Sequence, residues 1–362
     1  MHTKLEDNHM SSRRIVVLVP MILLCIGLCL YFAACDGDGP VEPEEPKDYV
    51  VYFIDHHQHD GNWFFAYHPT SNKLDSFWLP YTSDPVVSAD GKKMYVGDGD
   101  MMRIGIVDLN SLTVIDELPY ELPIAVSPDN QLLAVRGEGV RILKTSDYSE
   151  VFHDTVIVWR GTFSSDSHRF YGATSEGQVY RIELSDTLVT VNAKSFANGG
   201  VRQVVPSWDE SKWFLYLQVS SGLFRFDIYD VFGDSIVYTA WLSPGYGELE
   251  LTPDGKYVFY TNPGRENTAA GSPWIGVHDV ERRRIHTMIT TAGILDPPND
   301  YGIPVSDVCI TPDGRWLVAV ASGAFSGYPF LLTLDVRTMQ FVKHIKFGGN
   351  RNFRGLTCQS RL

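Results

Sequence analysis

One phrase recurs along this chain and leaves few folds open to it. Its fullest form is Asp307-Val308-Cys309-Ile310-Thr311-Pro312-Asp313-Gly314-Arg315-Trp316-Leu317-Val318-Ala319-Val320, a short buried strand, a tight turn and a second apolar strand. The Asp of the turn returns at Asp90, Asp129, Asp166, Asp209, Asp254 and Asp313, at spacings of 39, 37, 43, 45 and 59 residues. Pro presets φ at the first corner, Asp bonds its own local backbone, and Gly accepts positive φ. Each unit continues in the same way. Strand A enters the turn and strand B leaves it. Strand C alternates, as in Arg103–Asp108, and ends on an acid at Asp108, Glu183, Asp227, Asp279 or Asp335. A polar hairpin then leads to strand D, such as Gln340–Ile345. Runs rich in Val, Ile, Tyr, Phe and Trp suit pleated surfaces covered on both faces. No useful helical stripe follows residue 48. The reading is an all-β propeller, because four short strands per unit at periods near 40 to 45 residues are the pattern of propeller blades.

The two ends supply the blade count. Tyr49–Ile54 reads as a strand B with no strand A before it, followed by strand C (Asn62–His68) and strand D (Leu74–Leu79). After the last strand D comes one more strand, Arg354–Cys358, with the length and pattern of the missing strand A. Six complete blades and one blade shared between the termini make a seven-bladed ring, four antiparallel strands per blade, with no open edge.

The Ser/Thr-Pro-Asp-Gly turns, the Tyr-Val strands and the Ile-Asp strand ends resemble the YVTN-type (YncE-like) propeller repeats of bacterial extracytoplasmic proteins. The resemblance covers residues 49 to 360 and is best at Asp90, Asp254 and Asp313. The units at Asp166 (Ser-Ser-Asp-Ser) and Asp209 (Ser-Trp-Asp-Glu) depart from it. A WD40 reading is weaker, since the one Trp-Asp pair, Trp208-Asp209, falls in a turn instead of ending strand C.

Ahead of the ring the chain reads as an export signal. Arg13 and Arg14 flank an apolar run, Ile15–Leu30, and Phe32-Ala33-Ala34-Cys35 resembles a lipoprotein cleavage site, with Phe32 where Leu is usual. The expectation is a signal peptide over 1–34 with lipidation of Cys35, the alternative an uncleaved anchor, since Ile15–Ala34, at 20 residues, is long enough to span a bilayer. Met10 is a second candidate start. Residues 35–48 are acidic and Pro/Gly-rich, a tether that cannot bury a core, and 49–362 form one domain. The expected location is the cell envelope, facing the periplasm or the exterior, with Asp36 leaving the choice of membrane open. Without residues 1–34 the charge balance is 27 basic to 42 acidic residues, a poor match for nucleic acid. The expected partners are the membrane, through the lipid, and an envelope protein, peptide or glycan.

Cys309 and Cys358 fall on inner strands of adjacent blades. They read as two small buried apolar side chains, with a ring-closing disulfide as the alternative, because pairing is not legible in sequence.

Loop lengths point to a binding face. Three long B–C loops (Thr261–Trp274, Ala321–Phe330, Asp55–Asn62) and the long D–A loop Thr291–Pro304 cluster on one sector of one end of the ring. Arg265, Glu266, Asn267, Trp274, Asp296, Asp300, Tyr301, Phe325 and Tyr328 mix aromatic and polar groups there and form the candidate ligand face. His56, His57, His59 and Asp60 are a candidate site for a divalent metal, as imidazoles with a carboxylate suit transition ions, although exposed His runs are often merely solvated. No other cofactor is indicated. Enzymatic motifs are absent: no G-x-S-x-G, Walker loop or H-E-x-x-H occurs. The leading expectation is a binding or scaffold module. The rivals are a metal-dependent hydrolase or lactonase using the His loop or acids at the channel mouth, and a surface-layer component.

Overall fold

A computed structural model of the chain describes residues 49–55, 62–98, 100–185, 189–196, 199–220, 223–242, 248–262, 274–291, 305–321, 328–348 and 353–358. These residues form 28 strands, β1 to β28, in seven four-stranded antiparallel sheets, and no helix. The protein is a seven-bladed β-propeller. Blade 1 has the order β28-β1-β2-β3, with β28 (Phe353–Cys358) antiparallel to β1 (Val51–Asp55), then β2 (Asn62–His68) and β3 (Lys73–Leu79). The C-terminal strand therefore completes the first blade, as the orphan strand in the sequence predicts. Blades 2 to 7 each take four consecutive strands, and their innermost strands are β4 (Val86–Val87), β8 (Leu122–Val126), β12 (Val158–Phe163), β16 (Gly200–Pro206), β20 (Leu249–Leu251) and β24 (Val305–Ile310).

The apolar core is divided. Seven buried clusters are resolved, each between two adjacent blades. The cluster joining blades 7 and 1 holds Val51, Phe53, Phe65, Tyr67, Cys309, Val318, Val320, Leu331, Phe347 and Phe353. Its rings meet edge-on, Phe347 to Phe353 at 4.5 Å and Phe53 to Phe353 at 5.2 Å. Ring closure thus buries side chains as well as pairing backbone, and both terms favour the closed ring.

One hydrogen-bond device builds all six A–B turns, blade 1 having none because its strands A and B come from opposite ends of the chain. A Ser or Thr two residues before the Asp donates its hydroxyl to the Asp Oδ1 at 2.5–2.7 Å. The same hydroxyl accepts the N–H that opens strand B at 2.9–3.0 Å. The residue after the Asp adopts positive φ in all six: Gly91 (65°), Asn130 (61°), Ser167 (64°), Glu210 (54°), Gly255 (70°) and Gly314 (68°). A turn followed by a left-handed residue matches the twist of the flanking strands. Ser167 and Glu210 hold that conformation without glycine's freedom, so the two units that depart in sequence keep the geometry of the rest.

One strand end differs from expectation. Asp227 does not end strand C of blade 5, which runs on as β18 (Leu223–Asp230). Asp227 is buried mid-strand, 2.7 Å from Arg225 and accepting the Thr239 hydroxyl at 2.8 Å. The turn acid there is Asp230, which accepts the Gly233 N–H at 2.7 Å. The strand is longer than the strands C of the other blades, and the acid that marks its end lies three residues further on.

Candidate functional site: the axial channel

The four-strand order gives the ring two distinct ends. A–B and C–D turns form one, the turn end; B–C and D–A connections form the other, the loop end. The innermost strands run from the loop end to the turn end around a channel of about 640 Å³ to which all seven blades contribute. At its turn end the wall is Pro128, Pro253, Pro312 and Trp208, all from A–B turns. Towards the loop end it holds Asp84, Arg160, Glu248 and Asp307, with Glu250 further along its own strand.

A recurring irregularity sets these groups there. Where β8, β12, β16, β24 and β28 pair with their neighbours, the register shifts by one residue within the inner strand. Trp159 is the extra residue in β12 and Ser306 in β24, immediately before Arg160 and Asp307. A bulge re-aims the side chains that follow it. In β20 the alternation itself does the work: Leu249 is buried between blades while Glu248 and Glu250, one residue to either side, line the channel. Glu248 is held at the start of that strand by its N–H donating to Thr261 Oγ1 at 3.0 Å.

Arg160 is the centre of the cluster. It forms an ion pair with Glu248, and Asp84 lies 4.0 Å from its second guanidinium nitrogen. Asp307 accepts the Leu356 N–H of β28 at 2.8 Å. Gly355, at φ 67°, makes the remaining room: a Cβ there would stand 2.7 Å from the Asp84 carboxylate. Although 44% of the Arg160 side chain is open to the channel, it sits among carboxylates from several blades, which hold its proton more tightly than usual. Burial raises the acids. Glu248 is pushed up against the pull of Arg160, Asp307 is pushed well above the usual carboxylate range by burial and by Glu248, and Glu250 is raised to about 8 by burial and by Glu248. Glu248, Glu250 and Asp307 thus hold protons at a pH where free carboxylates have lost them. That is an arrangement for accepting positive charge.

The loop end also carries most of the strand-end tryptophans. Trp63 and Trp78 are cross-strand partners in blade 1, both exposed. Trp159 lies under Arg136 at 5.0 Å, and Trp241 under Arg225 at 5.8 Å. Among the described residues, exposed aromatic rings at the turn end are Trp208 and Phe232.

Of the residues singled out by loop length, Tyr328 is described: it is half exposed, with Lys346 Nζ 4.1 Å above its ring. Trp274 opens β22 (Trp274–Asp279), with backbone paired to Asn262 and Thr290. Arg265, Glu266, Asn267, Asp296, Asp300, Tyr301 and Phe325 lie outside the described residues, as do Cys35 and the candidate metal loop His56, His57, His59 and Asp60. Among the described residues no three His, Cys, Asp or Glu side chains are grouped to hold a metal. Acids at the channel mouth were expected as a class; Asp84, Arg160, Glu248, Glu250 and Asp307 individually were not. A signal exists for one of them: Val305 and Val308, apolar residues three apart in a strand that otherwise alternates, mark the bulge before Asp307.

No protein-family model and no curated protein matches the chain. Solved structures do resemble it. A provisionally assigned 6-phosphogluconolactonase from Bacteroides fragilis superposes with TM-score 0.60 at 14% identity, covering 88% of this chain and 99% of that one. Apo AztD from Citrobacter koseri gives 0.59 at 10% identity, covering 86% and 99%. Kuenenia stuttgartiensis hydrazine synthase gives 0.58 at 18% identity, covering 70% and 76%. At these identities the likeness is one of fold.

Proposed function

We propose that this chain is a binding propeller of the bacterial cell envelope, tethered by a lipid on Cys35, that takes a small cationic ligand at the loop end of its channel. One observation carries the ligand class: Asp84, Glu248, Glu250 and Asp307 gather around Arg160, while the other arginine of the channel wall, Arg136, is already paired with Glu121. A carboxyl group kept protonated by burial and like charge ionises when a cation arrives, so the cation supplies what the site lacks. A volume of about 640 Å³ is in the range of small-molecule pockets. The envelope address is supported by the apolar run Ile15–Leu30 ahead of Ala33-Ala34-Cys35 and by the YVTN-type turns.

The test is calorimetry on the full-length protein with spermidine, choline and arginine, beside citrate as an anionic control. The expected result is saturable binding of at least one cation with proton release at pH 7, and at least tenfold weaker binding in Glu248→Gln/Asp307→Asn. Binding of citrate alone, or of nothing, removes the reading. The anchor is checked separately, since Cys35→Ser should shift the protein from the membrane to the soluble fraction.

A hydrolase is the second reading, and Glu250 favours it: a carboxyl group protonated up to about pH 8 is suited to general acid work at neutral pH. Lactone hydrolysis abolished by Glu250→Gln would support it. If metal is required, elemental analysis beside His57→Ala/His59→Ala will show it.

A further inference from the structure

The strand that closes the ring meets blade 7 through two sulfurs. Cys309 of β24 and Cys358 of β28 place their Sγ atoms 2.7 Å apart, 49 residues apart in sequence. Both are free thiols here. Cys309 is buried in the cluster joining blades 7 and 1, Cys358 packs half-buried against the same cluster, and both line the axial channel. The two strands are already pinned at this level, since Asp307 accepts the Leu356 N–H. No backbone rearrangement is needed to bring the sulfurs together, which is the usual obstacle to a cross-link between two cysteines. The remaining cysteines, Cys25, Cys29 and Cys35, all precede the ring.

From this geometry we infer that Cys309 and Cys358 are a thiol–disulfide latch that fixes the closing strand β28 to blade 7, oxidised by a small disulfide that enters through the channel. The chemistry balances as exchange. The Cys358 thiolate attacks one sulfur of the donor disulfide, forms a mixed disulfide and expels the first donor thiolate. The Cys309 thiolate then attacks Cys358 Sγ, forms the Cys309–Cys358 bond and expels the second. Two protein thiols are oxidised, the donor is reduced to two thiols, and the two protons end on them. Cys358 takes the first step because it is the more accessible of the pair. Burial beside Cys358 pushes the Cys309 thiol up, which makes it the slower nucleophile and suits it to the resolving role. Oxidised, the closing strand β28 is bonded covalently to β24 of blade 7 and held in the position from which it pairs with β1. Reduced, β28 is held there by packing around Phe353 and the Asp307–Leu356 hydrogen bond; in both states closure onto β1 rests on the β1–β28 ladder.

The experiment uses the full-length protein equilibrated in glutathione buffers, one dominated by the oxidised form and one by the reduced form. Samples are denatured, alkylated without reduction and mapped by proteolysis and mass spectrometry, and parallel samples are melted. The expected result is one cross-linked peptide pair containing Cys309 and Cys358 in the oxidised sample, and a Tm higher by about 5–10 °C than in the reduced one. Cys309→Ala and Cys358→Ala should each fold and abolish the difference between buffers. Alkylation of both residues in the oxidised sample overturns the pairing, as does lasting glutathione on Cys358. A cross-link with no change in Tm overturns the latch.

Discussion

The two ends of the ring are made from the same strands and obey different rules. At the turn end, six A–B connections repeat one arrangement of hydroxyl, carboxylate and left-handed residue, down to hydrogen bonds that agree within 0.2 Å. At the loop end, connections differ in length from blade to blade, the inner strands bulge, and charge gathers around Arg160. Repetition at one end holds the blades in register, which leaves the other end free to vary without endangering the fold. Binding chemistry belongs where variation is tolerated.

The largest effect expected is from attacking the one junction that no covalent loop spans. Deleting residues 353–362 removes β28, exposes the edge of β1 and uncovers Phe53 and Phe65. Melting should fall by more than about 10 °C or lose cooperativity; an unchanged melt would mean that closure does not stabilise the ring. Next comes the turn device. Thr311→Val removes a fully buried hydroxyl that serves both Asp313 and the Trp316 N–H, at a cost of about 1–3 kcal/mol by chemical denaturation. Thr252→Val should match it within error if the turns are equivalent, and unequal costs would break the equivalence.

Titration sharpens the contrast between channel and blade packing, because the signs oppose. Glu250 has a folded pKa of about 8 against 4.5 unfolded. Between those values only the folded state keeps the proton, so its contribution is complete below pH 4.5 and lost as pH rises to 8. Glu250→Gln should therefore gain on the wild type over that interval, by about 2 °C in Tm at pH 8, and show no gain at pH 4.5. His278 is fully buried between blades 5 and 6 against Tyr238, and burial lowers it from 6.5 to about 4. Its contribution is complete above pH 6.5 and lost on acidification towards 4, and His278→Phe should flatten that limb. The smallest effect is expected at the loop end: shortening the connection 263–273, between the paired Asn262 and Trp274, should leave Tm within about 1 °C while weakening ligand capture at that end.

What could be read in advance follows the same division. Blade number, the shared blade and most strand limits were legible because a turn with its own hydrogen bonds is a local event, and Asp with Ser or Thr announces it. The predicted strand C Asn62–His68 agrees with the structure residue for residue. Asp227 misled because an acid at the end of a strand and an acid paired to Arg225 within one look alike in a single sequence. The channel cluster was not legible residue by residue. Asp84, Arg160, Glu248 and Asp307 come from four blades, and only closure brings them together. The loop-length argument singled out the uneven end of the ring, where the charged mouth of the channel also opens, but most of the residues it named lie outside the described ones.

The first described strand of the ring, β1, starts at the turn end, and β28 finishes there, with Val51 and Cys358 side by side in the ladder. The two described ends of the ring therefore share one rim, opposite the mouth that holds Arg160. That rim is a natural handle, since coupling through it leaves the charged mouth uncovered. Immobilising the protein by an added C-terminal tag should present every copy with its charged opening outward.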